Sequence, residues 1–161
     1  MRAAVLTVSD RASAGSMRDE SGPAVRRLLV AAGFDVSDVA LVPDERDRIA
    51  AFLVAASEDH QLVVTTGGTG LGARDVTPEA TRPLLDYEVP GLAELMRAEG
   101  LRKTPMAALS RSLAGVRGRA LIVNLPGSVR GATESLEAIA PALRHAVELL
   151  SGDTEHRAGA Q

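Results

Sequence analysis

The chain has 161 residues, enough for one domain with a sizeable core, and 45% of them are hydrophobic. Aromatic residues make up only 2%, so the core has to be built from Leu, Val, Ile and Ala, and the stacking platforms of single-strand nucleic-acid binders are missing. A formal net charge of −3 argues against a binder that relies on phosphate neutralisation, and zero cysteines exclude disulfides, thiolate metal sites and cysteine nucleophiles.

The pattern along the chain alternates strands with helices. Arg2 to Val8 is a short apolar run, as expected of a parallel strand buried on both faces. It is too short for a signal-peptide core, and no stretch approaches membrane-spanning length, so the expectation is a soluble cytoplasmic protein. Ser21 is placed to cap a helix with Pro23 in its first turn, and Gly33 stands where a left-handed C-terminal cap belongs. Phe34 to Val42 predicts a second strand of mixed pattern, nearer an edge. Asp44 is placed to cap a second helix, striped by Ile49, Phe52, Leu53 and Ala56. Gln61 to Thr66 predicts the third strand.

The middle is less regular. A short helix after Thr77 meets Pro83, and Val89-Pro90-Gly91 breaks the chain again. Leu92, Leu95 and Met96 predict a helix ending at Gly100; a loop and a short helical piece from Pro105 to Leu109 follow. Arg111 to Val116 reads as an edge strand and Arg119 to Leu125 as a clear one. The last helix is expected over about Ala132 to Leu150, bent at Pro141, with a disordered polar tail over 151–161. The reading is a single domain over 1–150, a three-layer α/β/α sandwich with a mostly parallel sheet.

The third predicted strand runs into Gly67-Gly68-Thr69-Gly70-Leu71-Gly72, four glycines within six positions, and then Arg74-Asp75. Glycines this dense after a strand let backbone N–H groups approach an anion, and the charged pair adds a phosphate-binding cation and a metal-binding carboxylate at the rim. No Gly-Lys-Ser/Thr ending is present, so this is not a Walker A loop. Gly68-x-Gly70-x-x-Ala73 fits a loose dinucleotide fingerprint with Glu88 about twenty residues on, but Thr77, Pro78 and Glu79 start the helix too late for it. A tight turn with no ligand would need fewer glycines.

Ligands of open parallel sheets bind beyond the carboxyl ends of the strands. Four such ends carry polar or glycine-rich residues here: Ser9-Asp10-Arg11, Pro43-Asp44-Glu45, Thr66 to Gly70, and Asn124-Leu125-Pro126-Gly127-Ser128. Each has a bland alternative: Asp44 as an N-cap, Asp10 and Pro126-Gly127 as turn formers, Arg74-Asp75 as a surface ion pair. None of His60, His145 and His156 falls on that edge, which argues against histidine-based catalysis. The set suits phosphoryl or nucleotidyl transfer, with Asp44 and Asp75 holding Mg²⁺ against nucleotide phosphates.

These residues resemble the molybdopterin adenylyltransferase family of MogA, MoaB and the gephyrin G domain. The resemblance is carried by Thr7 to Arg11, Asp19-Glu20-Ser21-Gly22, Val42-Pro43-Asp44, Thr65 to Ala80, Glu88 to Gly91, Leu109-Ser110-Arg111 and Asn124 to Gly127. It implies a homotrimer that uses ATP to adenylylate molybdopterin and passes the product to a MoeA-like molybdenum-insertion protein. It also implies that Asp44 and Asp75 are the essential acids, and that Gly67, Gly68, Thr69 and Gly70 bind nucleotide phosphate. Ser9, Asp10, Arg74, Asn124, Pro126, Gly127 and Ser128 would complete the pocket, with Ser110 and Arg111 on the pterin side. The length is nearer that of MoaB proteins, so a catalytically silent pterin-binding or assembly module is the alternative.

Overall fold

The computed structural model describes residues 1–152; of the tail expected over 151–161, Ser151 ends the last helix and residues 153–161 lie outside the described ones. Four apolar runs form the parallel centre of a seven-stranded sheet: β1 (Arg2–Val8), β3 (Ala40–Val42), β4 (Leu62–Thr66) and β7 (Ala120–Leu125). Two further strands, β5 (Tyr87–Glu88) and β6 (Ala114–Arg117), pair antiparallel outside β7. The two-residue β2 (Asp35–Val36) pairs with the start of β1 and β3 with its end.

Alternation along β1 feeds both faces of the sheet. Ala3 and Val5 enter one core with α2 (Ser21–Ala31), α5 (Pro90–Leu101) and α6 (Val129–Ser151). Ala4, Leu6 and Val8 enter the other, with α3 (Arg46–Asp59) and α4 (Thr77–Thr81). Because β1, β4 and β7 are covered on both sides, they read as unbroken apolar runs. The outcome is the three-layer α/β/α sandwich that the pattern predicts, with a mostly parallel sheet. A short helix α1 (Asp10–Ser13) leaves β1 directly.

Several elements differ from the sequence reading, each for a local reason. The predicted strand Phe34 to Val42 is split in two, and at the break the Arg26 guanidinium donates to the carbonyls of Ser37 and Val36, at 3.2 and 3.5 Å. β6 is not an edge, because β5 pairs outside it; at Gly115 a Cβ would stand 2.8 Å from the Tyr87 carbonyl oxygen, so only glycine permits the approach. Val89-Pro90-Gly91 does not break the chain. Pro90 is the first residue of α5, where its missing N–H is no loss. Leu95 faces solvent while Leu92 and Met96 are buried. Gly33 takes the left-handed conformation expected of a C-terminal cap, and Pro141 lies inside α6.

Three capping assignments also shift. The carboxylate that accepts from the first turn of α2 is that of Asp19, at 3.1 Å from the Gly22 nitrogen, rather than the hydroxyl of Ser21. Thr77 is the first residue of α4, and its hydroxyl donates back to the Gly67 carbonyl at 2.9 Å. α6 begins earlier than predicted, at Val129, because the Ser128 hydroxyl accepts from the Gly131 N–H at 3.0 Å. The register sets Thr7, Thr66 and Leu125 side by side, so β1, β4 and β7 all end along one line.

Candidate active site

Beyond that line of strand ends lies a cleft of about 880 Å³, bounded by the β1–α1 turn, the loop before α2, the glycine loop and the start of α6. Ser9, Asp10, Asp44, Gly67, Gly68, Asp75, Gly127 and Ser128 all line it, so the two predicted acids face the same space. A second cavity of about 350 Å³ adjoins it, lined by Thr69, Gly70, Ser110 and Pro126 with Met96 and Met106. Gly127 and Ser128 line both, forming a shared wall.

Asp44 does not cap α3; the backbone at Glu45 starts that helix without a side-chain cap. Instead Asp44 and Asp10 exchange hydrogen bonds across two strand ends. The Asp10 N–H donates to Asp44 Oδ2 at 2.8 Å, and the Asp44 N–H donates to Asp10 Oδ1 at 3.0 Å. Arg74 closes the arrangement, its Nε and Nη2 donating to the two Asp10 oxygens at 2.9 and 3.0 Å. The Arg74 hydrogen bond, seconded by the Asp44 N–H, holds the Asp10 carboxyl below the usual carboxylate range. Burial pushes Asp44 the other way, and the negative charges of Asp10 and Asp75 add to that rise.

The glycine loop makes room for these acids as much as for a ligand. Gly67 and Gly68 both take positive φ, 105° and 65°. A Cβ on Gly67 would stand 2.2 Å from the Val8 carbonyl oxygen; one on Gly68 would lie 2.3 Å from the Thr77 hydroxyl and 3.1 Å from Asp44 Oδ1. Farther along, the Asp75 carboxylate accepts from the Gly72 N–H at 2.8 Å, inside its own loop. Cross-links stitch the loop to the α6 turn: Thr66 Oγ1 donates to the Pro126 carbonyl at 2.7 Å, and the Gly67 N–H donates to that of Leu125 at 3.1 Å.

Three predicted residues stand behind the cleft rather than in it. Asn124 is fully buried, its Nδ2 donating to Thr65 Oγ1 at 3.0 Å, and it ties β7 to β4 beneath the loop. Arg74 reaches Asp10 from outside the lining. Arg111 turns its guanidinium onto the back of the glycine loop. The sequence reading gives Asp19 and Glu79 no role in the site. Asp19 lines the cleft and accepts from the Thr7 hydroxyl at 2.7 Å, and its position ahead of Ser21-Gly22 is the capping signal that could have found it. Neither His60, at the end of α3, nor His145, on α6, lines either cavity, and His156 lies outside the described residues.

The charge balance points to a divalent cation accompanying any phosphate. Asp10, Asp19, Glu20, Asp44 and Asp75 line the cleft against Arg11 and Arg18, so a bare polyphosphate would meet like charge. No group of three or more metal-ligating His, Cys, Asp or Glu side chains occurs among the described residues. Asp44 and Asp75 are the cleft carboxylates that could hold an ion such as Mg²⁺, which takes one or two carboxylates and completes its shell with substrate phosphates and water.

Comparison with known proteins agrees with this geometry. Residues 4–145 match the family model described as "Probable molybdopterin binding domain". The molybdopterin adenylyltransferase of Helicobacter pylori (strain J99) is 44% identical over 153 residues, which cover 92% of this chain and 87% of that protein. The molybdopterin adenylyltransferase of Escherichia coli (strain K12) is 40% identical over 144 residues, covering 86% and 73%. The crystal structure of the molybdopterin biosynthesis enzyme MoaB from Thermus thermophilus superposes with a TM-score of 0.89 at 56% identity, covering 94% of this chain and 96% of that one. With this likeness over most of its length, the chain belongs to the MogA/MoaB-like family of molybdopterin-binding domains.

Proposed function

We propose that the protein is a molybdopterin adenylyltransferase acting in molybdenum cofactor biosynthesis. A terminal phosphate oxygen of molybdopterin attacks the α-phosphorus of ATP; the bond from that phosphorus to the β-phosphate oxygen breaks, and pyrophosphate leaves. The observation that carries the reading is the pair of adjoining cavities with acids grouped in one of them. The larger cleft suits the nucleotide and the smaller, with Met96 and Met106 in its wall, suits the pterin. Their common boundary at Gly127 and Ser128 is then where the two phosphates meet.

The nucleophile is an ionised phosphate, so the chain has to position and neutralise rather than abstract a proton. Gly68, Gly127 and Ser128 line the cleft, and their backbone N–H groups would stabilise charge developing at the shared boundary, while that of Gly67 is spent on the Leu125 carbonyl. Asp44 and Asp75 are the residues that would hold Mg²⁺, which when bound supplies charge neutralisation to the phosphates. The Asp10–Arg74 clasp keeps Asp44 in register with the loop.

Incubation with molybdopterin, ATP and Mg²⁺ is expected to yield adenylylated pterin and pyrophosphate in equal amounts. Pterin binding without ATP consumption would instead make the protein a silent pterin-binding module. The family likeness further suggests a homotrimer in the cytoplasm that hands its product to a MoeA-like insertion protein. Light scattering should give the mass of three chains, and a monomer at micromolar concentration would rule that assembly out.

A further inference from the structure

We propose that Arg111 is a positioning residue for Asp75, not a pterin contact. The loop that carries Asp75 runs through Leu71 to Arg74, all exposed, with Leu71 at 68%. The only side-chain hydrogen bond of Asp75 among the described residues goes to Gly72 in the same loop. The Arg74 clasp on Asp10 and the Thr77 bonds to Gly67 and Gly68 hold the flanks of this loop, but Leu71 to Ala73 between them stay solvent-facing.

Arg111 adds a separate hold, on the loop's own carbonyls. Its Nε donates to the Gly70 carbonyl and its Nη2 to the Asp75 carbonyl, both at 2.7 Å, so one planar group grips the loop at each end. Its backbone N–H donates to the Thr69 carbonyl at 2.9 Å, adding a third tie just upstream. Nη1 pairs with Glu79 on α4, which anchors the guanidinium to a helix packed on the sheet. Arg111 lines neither of the two cavities, whereas its neighbour Ser110 lines the smaller one. Lysine cannot reproduce the fork, since an ammonium is a point donor without a planar fixed geometry.

The inference rests on Asp75 being a metal-holding carboxylate, and the test separates the two claims. Mn²⁺ is titrated into each protein with ATP present, and bound Mn²⁺ is read by electron paramagnetic resonance. Arg111→Lys should raise the Mn²⁺ dissociation constant by about tenfold to a hundredfold, as loss of an outer partner of a metal ligand does. Binding of ATP alone and the KM for molybdopterin should stay near wild type. Glu79→Ala, whose side chain also lines neither cavity, should shift the Mn²⁺ constant in the same direction, and it decides the matter if Arg111→Lys does not fold. Variants that bind Mn²⁺ like wild type, or a rise confined to the molybdopterin KM, would overturn the positioning role. Failure of the wild type itself to bind Mn²⁺ with ATP would overturn the proposed function and this role together.

Discussion

Asp75→Asn should lower turnover by on the order of a hundredfold to a thousandfold, about 3–4 kcal/mol of transition-state stabilisation, while leaving the fold intact. The substitution keeps the shape and an oxygen that can still accept from the Gly72 N–H, but it removes the charge. Because the residue is only partly buried and sits on an exposed loop, the thermal midpoint should hardly move. Nucleotide binding should survive, since the amide oxygen keeps the Gly72 bond and neither the Gly67–Gly68 turn nor the α6 start bonds to that carboxylate. Steady-state kinetics, with nucleotide affinity measured in parallel, would check it; a near-normal rate would remove Asp75 from the metal-holding pair.

The second large effect is expected at Gly67. Its φ of 105° disfavours any L side chain, and the added Cβ would meet the Val8 carbonyl oxygen at 2.2 Å. That oxygen belongs to the backbone at the end of β1, so it cannot swing aside like the tip of a long side chain. Gly67→Ala should cost about 2–4 kcal/mol, a fall in melting temperature on the order of 5–15 °C, and should abolish adenylyl transfer by prising the loop from β1. Gly118→Ala is the control: its φ of 57° is also positive, but nothing lies within 4 Å of the new atom. The control should cost about 1 kcal/mol and keep activity. Equal melting of the two variants would show that strain at φ, not contact with β1, governs the site.

The parts of the fold that sequence made visible are those whose surroundings impose a simple pattern. β1, β4 and β7 are buried on both faces and so appear as continuous apolar runs, and their shared direction brings Ser9, Asp10, Gly67 and Ser128 to one cleft. Short or interrupted elements carry no such imprint. β5 has two residues and exists only because Gly115 lets it come close, while the break between β2 and β3 coincides with the Arg26 guanidinium. Pro-Asp ahead of a helix looks like a cap, yet Asp44 turns away to a partner 34 residues earlier. Arg74 and Asp10 are 64 residues apart, a separation at which neither composition nor periodicity signals contact. The glycines could be located but not interpreted, since what excludes a side chain at Gly68 is Thr77 and Asp44, both supplied by the tertiary fold.

The common boundary at Gly127 and Ser128 has a kinetic corollary. A molecule that fills both chambers at once gains the grip of each half without losing translational freedom twice, so it is retained more strongly than either fragment. On the proposed function, adenylylated pterin would be such a molecule. If the proposed reaction holds, its escape rather than bond making would be the slow step of the cycle, and a downstream acceptor that lifts it away would quicken the whole sequence.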